Sequence, residues 1–377
     1  MVLLSVNAGS SSLKVSVFNR HDLDAPQSSL AIEDIGTSSE TPESATQRIQ
    51  QWITDELSIR PEEIEAVGHR VVHGGMRYSS ASPITPDLIS YLTGITPLAP
   101  NHMPGTLASI NAFLAAYPNV PHVACFDTSF FHDVPEVAKT LPIPLSLQRA
   151  AGIRRYGFHG LSYASLLASF KEHEGETAYK GRVILAHLGS GASVAACKDG
   201  LPVDMSMGFT PVSGIMMSTR SGDLEPGILT YLETQKGMTA DELSDLFTKK
   251  SGLLGVSETT ADMHVLLDTQ DQNPQAKLAI DLFCYKIKKT IGSYAAALGG
   301  VDSIIFSGGI GERSAEIRAR ILEGLGFLDI IVDDTRNAEN ARLISSDRSD
   351  VGVHVIPARE DYSIVTQTIA VIDKEKA

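Results

Sequence analysis

Residues 2–18 read VLLSVNAGSSSLKVSVF, and residues 183–200 read VILAHLGSGASVAACKDG. One pattern therefore occurs twice: a short apolar strand, a polar residue (Asn7 or His187), a Gly-Ser turn, and a second alternating strand. After the first turn, Leu13, Val15 and Val17 alternate with Lys14, Ser16 and Phe18. A period of two predicts that the turn closes a β-hairpin and does not open a helix. Small residues there let backbone N–H groups converge on one point, a setting for an anion such as phosphate. Two such hairpins in two halves predict a duplicated domain with a nucleotide held between the copies.

A chain of 377 residues is too long for one core, so two domains are expected. Its net charge is −14 and it has no Lys/Arg-rich run, which argues against a nucleic-acid partner. Cys125, Cys197 and Cys284 are odd in number and lie in apolar stretches without ligand spacing. They read as buried thiols in a reducing compartment. The apolar start before Asn7 is too short for a signal peptide, and no run of about 18 apolar residues suggests a membrane span. A cytoplasmic location is expected.

Residues 22–48 read as a polar surface connection, and Ile49, Trp52, Ile53 and Leu57 then recur at helical spacing. A strand over 64–72 stops at His73-Gly74-Gly75. A helix follows Pro104-Gly105, and a strand over 123–126 delivers Asp127 at its end. Thr239 with Glu242 forms a capping box, and Asn273-Pro274 opens a long helix that Gly299-Gly300 closes. A strand at 303–306 runs into Gly308-Gly309-Ile310-Gly311-Glu312, and another at 353–356 precedes Glu360 and Asp361. Alternating strands and helices predict α/β layers. Neither a dinucleotide fingerprint nor a Walker A loop is satisfied, because Ser314 replaces the third glycine and Gly9 lacks a following GK[ST].

Arg70, His159 and Arg220 lie at glycine-rich turns where cations can converge on phosphate oxygens, the main demand of phosphoryl transfer. Asp127, Glu360 and Asp361 are hard oxygen ligands that suit Mg²⁺. His73, His102 and His132 lack zinc spacing and read as structural or substrate-proximal.

Taken in order, NAGSSSLK (7–14), GHRVVHGG (68–75), FDTSF (126–130), RRYGFHG (154–160), HLGSGAS (187–193), SMGFTP (206–211), TRSGDLEPG (219–227), SGLLGVS (251–257) and FSGGIGE (306–312) resemble the acetate kinase family end to end. The resemblance implies two duplicated actin-like (ribonuclease H-like) α/β domains with a cleft between them. The divisions expected are 1–131, with the helix 362–377 packing back on it, and 132–361 as the nucleotide-binding domain. It implies transfer of the ATP γ-phosphoryl group to acetate by direct in-line attack, with Mg²⁺ (or Mn²⁺), in a homodimer. Asn7 and Glu360 would hold the metal, Lys14 would approach the phosphates, and Arg70 would bind the carboxylate. Asp127 would be the essential acid, organising Mg²⁺ and water, while His159 and Arg220 stabilise the transition state. Val72, Asn101 and Pro211 would form the acyl pocket. The ATP site would be lined by His187, Leu188, Gly189, Ser190 and Gly191; by Asp262, Met263 and His264; and by Gly309, Ile310, Gly311, Glu312 and Arg313.

Ser190, His264 and Arg313 depart from the family's usual Asn, Arg and Asn. Asn101 stands where the family has Leu, which makes the acyl site more polar. Leu161 and Tyr163 replace the Thr and His of GFHGTSH. Two rival readings are a propionate or other short-chain carboxylate kinase, and an actin- or Hsp70-like ATPase without a carboxylate substrate.

Overall fold

The computed structural model describes residues 1–9, 12–33, 35 and 41–376. Ser10 and Ser11 of the first turn, and the last residue of the expected helix 362–377, lie outside the described residues. The chain divides into two compact units: residues 1–132, 158–165 and 359–377 form the first, and 133–157 with 166–358 the second. Residues 158–165, expected in the C-terminal domain, thus cluster with the N-terminal one.

The first unit is built on six strands: β1 (Val2–Ala8), β2 (Leu13–Asn19), β3 (Ser28–Ile32), β4 (Ile64–Val71), β5 (Ser82–Pro83) and β6 (His122–Phe126). Their order in the sheet is β3-β2-β1-β4-β6-β5. β1 and β2 pair as an antiparallel hairpin with Asn7 opposite Lys14, and β1, β4 and β6 run parallel. Period-two alternation sends Leu4, Val6, Leu13, Val15 and Val17 to a core with Trp52 and Phe113. That face is covered by the helices Pro42–Gln51 and Met103–Ala116. Leu3, Phe18, Ala66 and Cys125 face the other way, onto Ile364, Val365 and Ile372 of the C-terminal helix Glu360–Lys376. Each fully buried aliphatic side chain contributes about 2 kcal/mol. The polar stretch 22–48 is more than a surface connection, because it supplies β3 and the start of a helix. As an outer strand paired to β2 alone, β3 has little need of an apolar pattern. The helical spacing through Leu57 continues past Gln51 as one π-helical segment, Trp52–Glu56.

The second unit carries β7 (Arg182–Leu188), β8 (Ala192–Lys198), β9 (Leu201–Met205), β10 (Ser303–Ser307) and β11 (Gly352–Val355). Their order is β11-β10-β7-β8-β9. β7–β8–β9 is again an antiparallel meander, and β7, β10 and β11 again run parallel. The topology of the first sheet is therefore repeated. The long helix runs from Pro274 to Leu298, capped by Asn273 and closed by Gly299 in the left-handed region, and it packs on β7 and β8. The Thr239–Glu242 capping box is present. All three cysteines are buried and free. Among the described residues no helix is long and apolar enough to cross a membrane.

Candidate active site

In the first unit the carboxyl ends of β1, β4 and β6 converge, the usual address of a functional group in a parallel α/β sheet. Arg70, next to last in β4, donates from Nε to both oxygens of Asp127 (3.2 Å each) and from Nη2 to Oδ2 (2.8 Å). Its other end, Nη1, donates to Asn7 Oδ1 at 3.0 Å and lies 3.5 Å from Glu360 Oε2. Asn7 Nδ2 in turn donates to Glu360 Oε2 at 2.8 Å. Four of the expected site residues therefore form one network.

Asp127 is 1% exposed. Burial raises its carboxyl above the ordinary range, and the Arg70 guanidinium and the backbone N–H of His159 oppose that rise. Burial likewise disfavours the Arg70 cation, but Asp127 and Glu360 more than offset it and hold its pKa above the usual value. The pair is a fixed, desolvated cation–carboxylate unit, and such a unit is costly to break from one side.

His159 is held beside Asp127 by local backbone. It adopts φ +61°, a left-handed conformation uncommon outside glycine, and Gly160 N–H donates to the Asp127 carbonyl at 3.0 Å. A Cβ at Gly160 would overlap that carbonyl and the Phe130 side chain, so only glycine permits the approach.

Lys14 projects to the same face of β2 as Ser16. Its Nζ lies 2.6 Å from Asp361 Oδ2, and Asp361 also accepts from Ser16 (2.8 Å) and Ser5 (3.4 Å). Asp361, expected from sequence among the hard oxygen ligands for Mg²⁺, is here the buried partner of the lysine. The signal was present in Ser5 and Ser16, two polar residues in the middle of apolar strands. His73, next to the end of β4, is buried edge-on to Phe158, and burial lowers its pKa to about 4.

Hard oxygen donors therefore flank Arg70. Mg²⁺ needs only one or two protein oxygens besides phosphate and water, which Asn7 Oδ1 and the Glu360 carboxylate fit. Among the described residues no group of three or more His, Cys, Asp or Glu is arranged as a self-contained metal cage. Val72 is buried. Asn101 is exposed at the rim of a cavity of about 240 Å³, lined also by Ala8, Gly9 and Ser109, and Val72 is not part of that lining.

The second unit assembles a different edge. His187 and Leu188 end β7, Gly189 N–H closes onto the Gly191 carbonyl at 3.1 Å, and the Ser190 carbonyl accepts from Ser218 N–H at 3.1 Å. The helix Gly308–Arg313 follows β10 directly. Gly308 has φ +75°, and a Cβ there would press on the backbone of Leu188. Residues 187–191 and 308–313 are therefore neighbours. Glu312 turns inward: its Oε1 accepts from Gly308 N–H (2.9 Å) and Ala358 N–H (3.1 Å). Arg313 is exposed.

Asp262 caps the helix Met263–Thr269, accepting from His264 N–H at 2.8 Å, while Met263 is buried and His264 lies 3.0 Å from Asp268 at the surface. Arg220 donates from Nη1 to the carbonyl of Pro211 at 3.0 Å. Sequence reading missed Arg318. Fully buried, it donates to the Gly311 and Glu312 carbonyls (2.8 and 3.0 Å) and to Asn337 and Asn340, fastening the glycine helix from behind. Its signal was a charge inside the apolar stripe Ile317–Ile321–Leu322.

Residues 2–366 match the model of the acetokinase family. An acetate kinase of Rhodopseudomonas palustris is 39% identical over 388 residues, covering 96% of each chain. A propionate kinase of Citrobacter rodentium is 40% identical over 393 residues, covering 98% of this chain and 96% of that protein. The crystal structure of Porphyromonas gingivalis acetate kinase superposes with a TM-score of 0.89 at 36% identity, over 98% of this chain and 99% of that one.

Proposed function

The chain belongs to the acetokinase family, and from that membership we propose that it transfers the γ-phosphoryl group of ATP to acetate, reversibly, giving ADP and acetyl phosphate. The observation that supports this reading best is the buried Arg70–Asp127 unit, whose guanidinium also reaches Asn7 and Glu360. A carboxylate oxygen is already a nucleophile, so the reaction needs no strong base. It needs positioning and cations around the transferring group.

In this reading Arg70 binds the substrate carboxylate, and Asp127 acts as the organiser that fixes the guanidinium plane. His159 and Arg220 stabilise the charge of the transferring group, and Lys14, anchored by Asp361, approaches the nucleotide phosphates. Val72 and Pro211 are the apolar residues assigned to the acyl group, whereas Asn101, at the rim of a cavity that Val72 does not line, is assigned only a polar influence on it. Residues 187–191, 262–264 and 309–313 line the nucleotide, with Glu312 acting through the backbone it holds. Bound to Asn7 and Glu360, Mg²⁺ supplies positive charge to the donor phosphates. A homodimer in the cytoplasm belongs to the same reading.

A second reading, propionate as the preferred acid, is favoured by the Citrobacter rodentium relative. A hydroxamate assay with acetate, propionate and butyrate, each with ATP, GTP and pyrophosphate, tests both. Product with acetate and ATP supports the proposal. A higher kcat/KM for propionate replaces the substrate, and nucleotide hydrolysis indifferent to any acid overturns the kinase reading.

A further inference from the structure

In the second unit a cavity of about 280 Å³ opens between the helix Pro274–Leu298 and the base of the segment 206–223. Lys286, Lys289, Thr290 and Ser293 lie at positions i, i+3, i+4 and i+7 of that helix, so they share one face, and this face lines the cavity. The opposite wall holds Arg155, Gly214 and Asp223. Arg155 is already engaged, donating to Asp204 Oδ1 and the Ala138 carbonyl at 2.9 Å each and to the Met205 carbonyl. Among the described residues neither Lys286 nor Lys289 has a carboxylate partner, although Lys289 Nζ lies over the Tyr285 ring at 5.5 Å. Asp223, the one carboxylate in the lining, accepts from Gly214 N–H at 2.7 Å.

Two unpaired ammonium groups on one face repel each other, and a concave surface concentrates their field. They stand out in a chain of net charge −14. We propose that this cavity binds a small dianion, a phosphate group or a short dicarboxylate, through Lys286 and Lys289; the Thr290 and Ser293 hydroxyls, which donate to the Lys286 and Thr290 carbonyls at 2.9 and 2.8 Å, only line the site. Such a ligand sits next to Asp223, and the two negative charges repel. The Asp223–Gly214 bond closes the loop that carries Arg220, with Asp223 N–H also donating to the Gly214 carbonyl at 2.8 Å. Dianion binding therefore loosens that loop.

The test uses the full chain saturated with Mg²⁺ and a non-hydrolysable ATP analogue, titrated calorimetrically with inorganic phosphate and, separately, with malonate. Saturable binding of either anion is expected, and the tighter one names the source. Replacing both lysines (Lys286→Met with Lys289→Met) weakens that binding about tenfold, with an unchanged melting temperature and unchanged anion-free activity. Each single replacement falls between. Hydrogen exchange at Gly214 and Asp223 is expected to quicken on binding in the wild type only. Absence of saturable binding, or equal binding in the double variant, overturns the proposal. Because heat and exchange are read without turnover, either result stands whatever reaction the enzyme catalyses.

Discussion

Where β1, β4 and β6 end, the first sheet presents the amide of Asn7 and the charges of Arg70 and Asp127, joined by Lys14 across the hairpin register. The matching ends of β7, β10 and β11 in the second sheet present His187, the turn Ser307-Gly308, and Ile356. Opposite His187, where the first hairpin has Lys14, stands Ser193. In the proposed function, one strand order would support two ways of meeting an anion, by guanidinium and ammonium groups in one copy and by closely approaching backbone in the other. The first edge should be vulnerable to lost charge and to pH, and the second to an added Cβ.

Arg220 is the side-chain cation that the second unit brings to the proposed reaction, so it is the sharpest challenge to that division. Arg220→Ala is expected to lower kcat roughly 10³-fold, about 4 kcal/mol, with the fold intact. Near-normal kcat at saturating substrate would show that it is merely a loop residue held by the Pro211 carbonyl. In the first unit, Arg70→Met strands the buried Asp127 carboxylate and costs about 3 kcal/mol of stability. Adding Asp127→Asn should restore part of this, and strictly additive losses in a urea-unfolding cycle would mean that the pair is not coupled.

His73 tests the pH side of the comparison. Its folded pKa, about 4, lies below the ordinary 6.5, so the unfolded chain binds the proton more readily. Its contribution is complete above about pH 6.5 and is lost as pH falls toward 4, about 3 kcal/mol in all. His73→Gln should flatten that part of the stability–pH curve; an unaltered slope between pH 7 and 5 would contradict it. The smallest effect is expected at the glycine edge. Gly308→Ala, strained at φ +75° and pressed on Leu188, should cost about 2 kcal/mol and raise the KM for ATP more than that for acetate. Gly309→Ala meets open space and should leave stability unchanged, and equal losses in both would remove the backbone-contact explanation.

Local patterns carried much of this architecture in the sequence. Alternation in 13–18 marked a hairpin, and Asn273 and Thr239 marked helix starts, because these features depend on residues a few positions apart. Several acetokinase motifs likewise lie where a strand ends, at Asn7, Arg70, His187 and Phe306. Partnerships across the chain were not legible. Arg70 meets Asp127 57 positions away and Lys14 meets Asp361 347 away, and no periodicity encodes either distance. The edge strand β3 was hidden because one-sided pairing leaves its composition free. Arg318 was hidden because its partners are mostly carbonyls, which every sequence has.

The helix Glu360–Lys376 completes the first unit although the whole second unit precedes it in the chain. During synthesis the N-terminal sheet therefore emerges with the Leu3–Phe18–Cys125 face uncovered and Lys14 still lacking Asp361. The second unit has all its residues once Ala358 has been made. Nascent chains usually close their N-terminal domain first; here the order of closure is reversed. The sheet made before the second unit is sealed after it, and the ribosome must deliver the helix Glu360–Lys376 before that apolar face is hidden from chaperones and proteases.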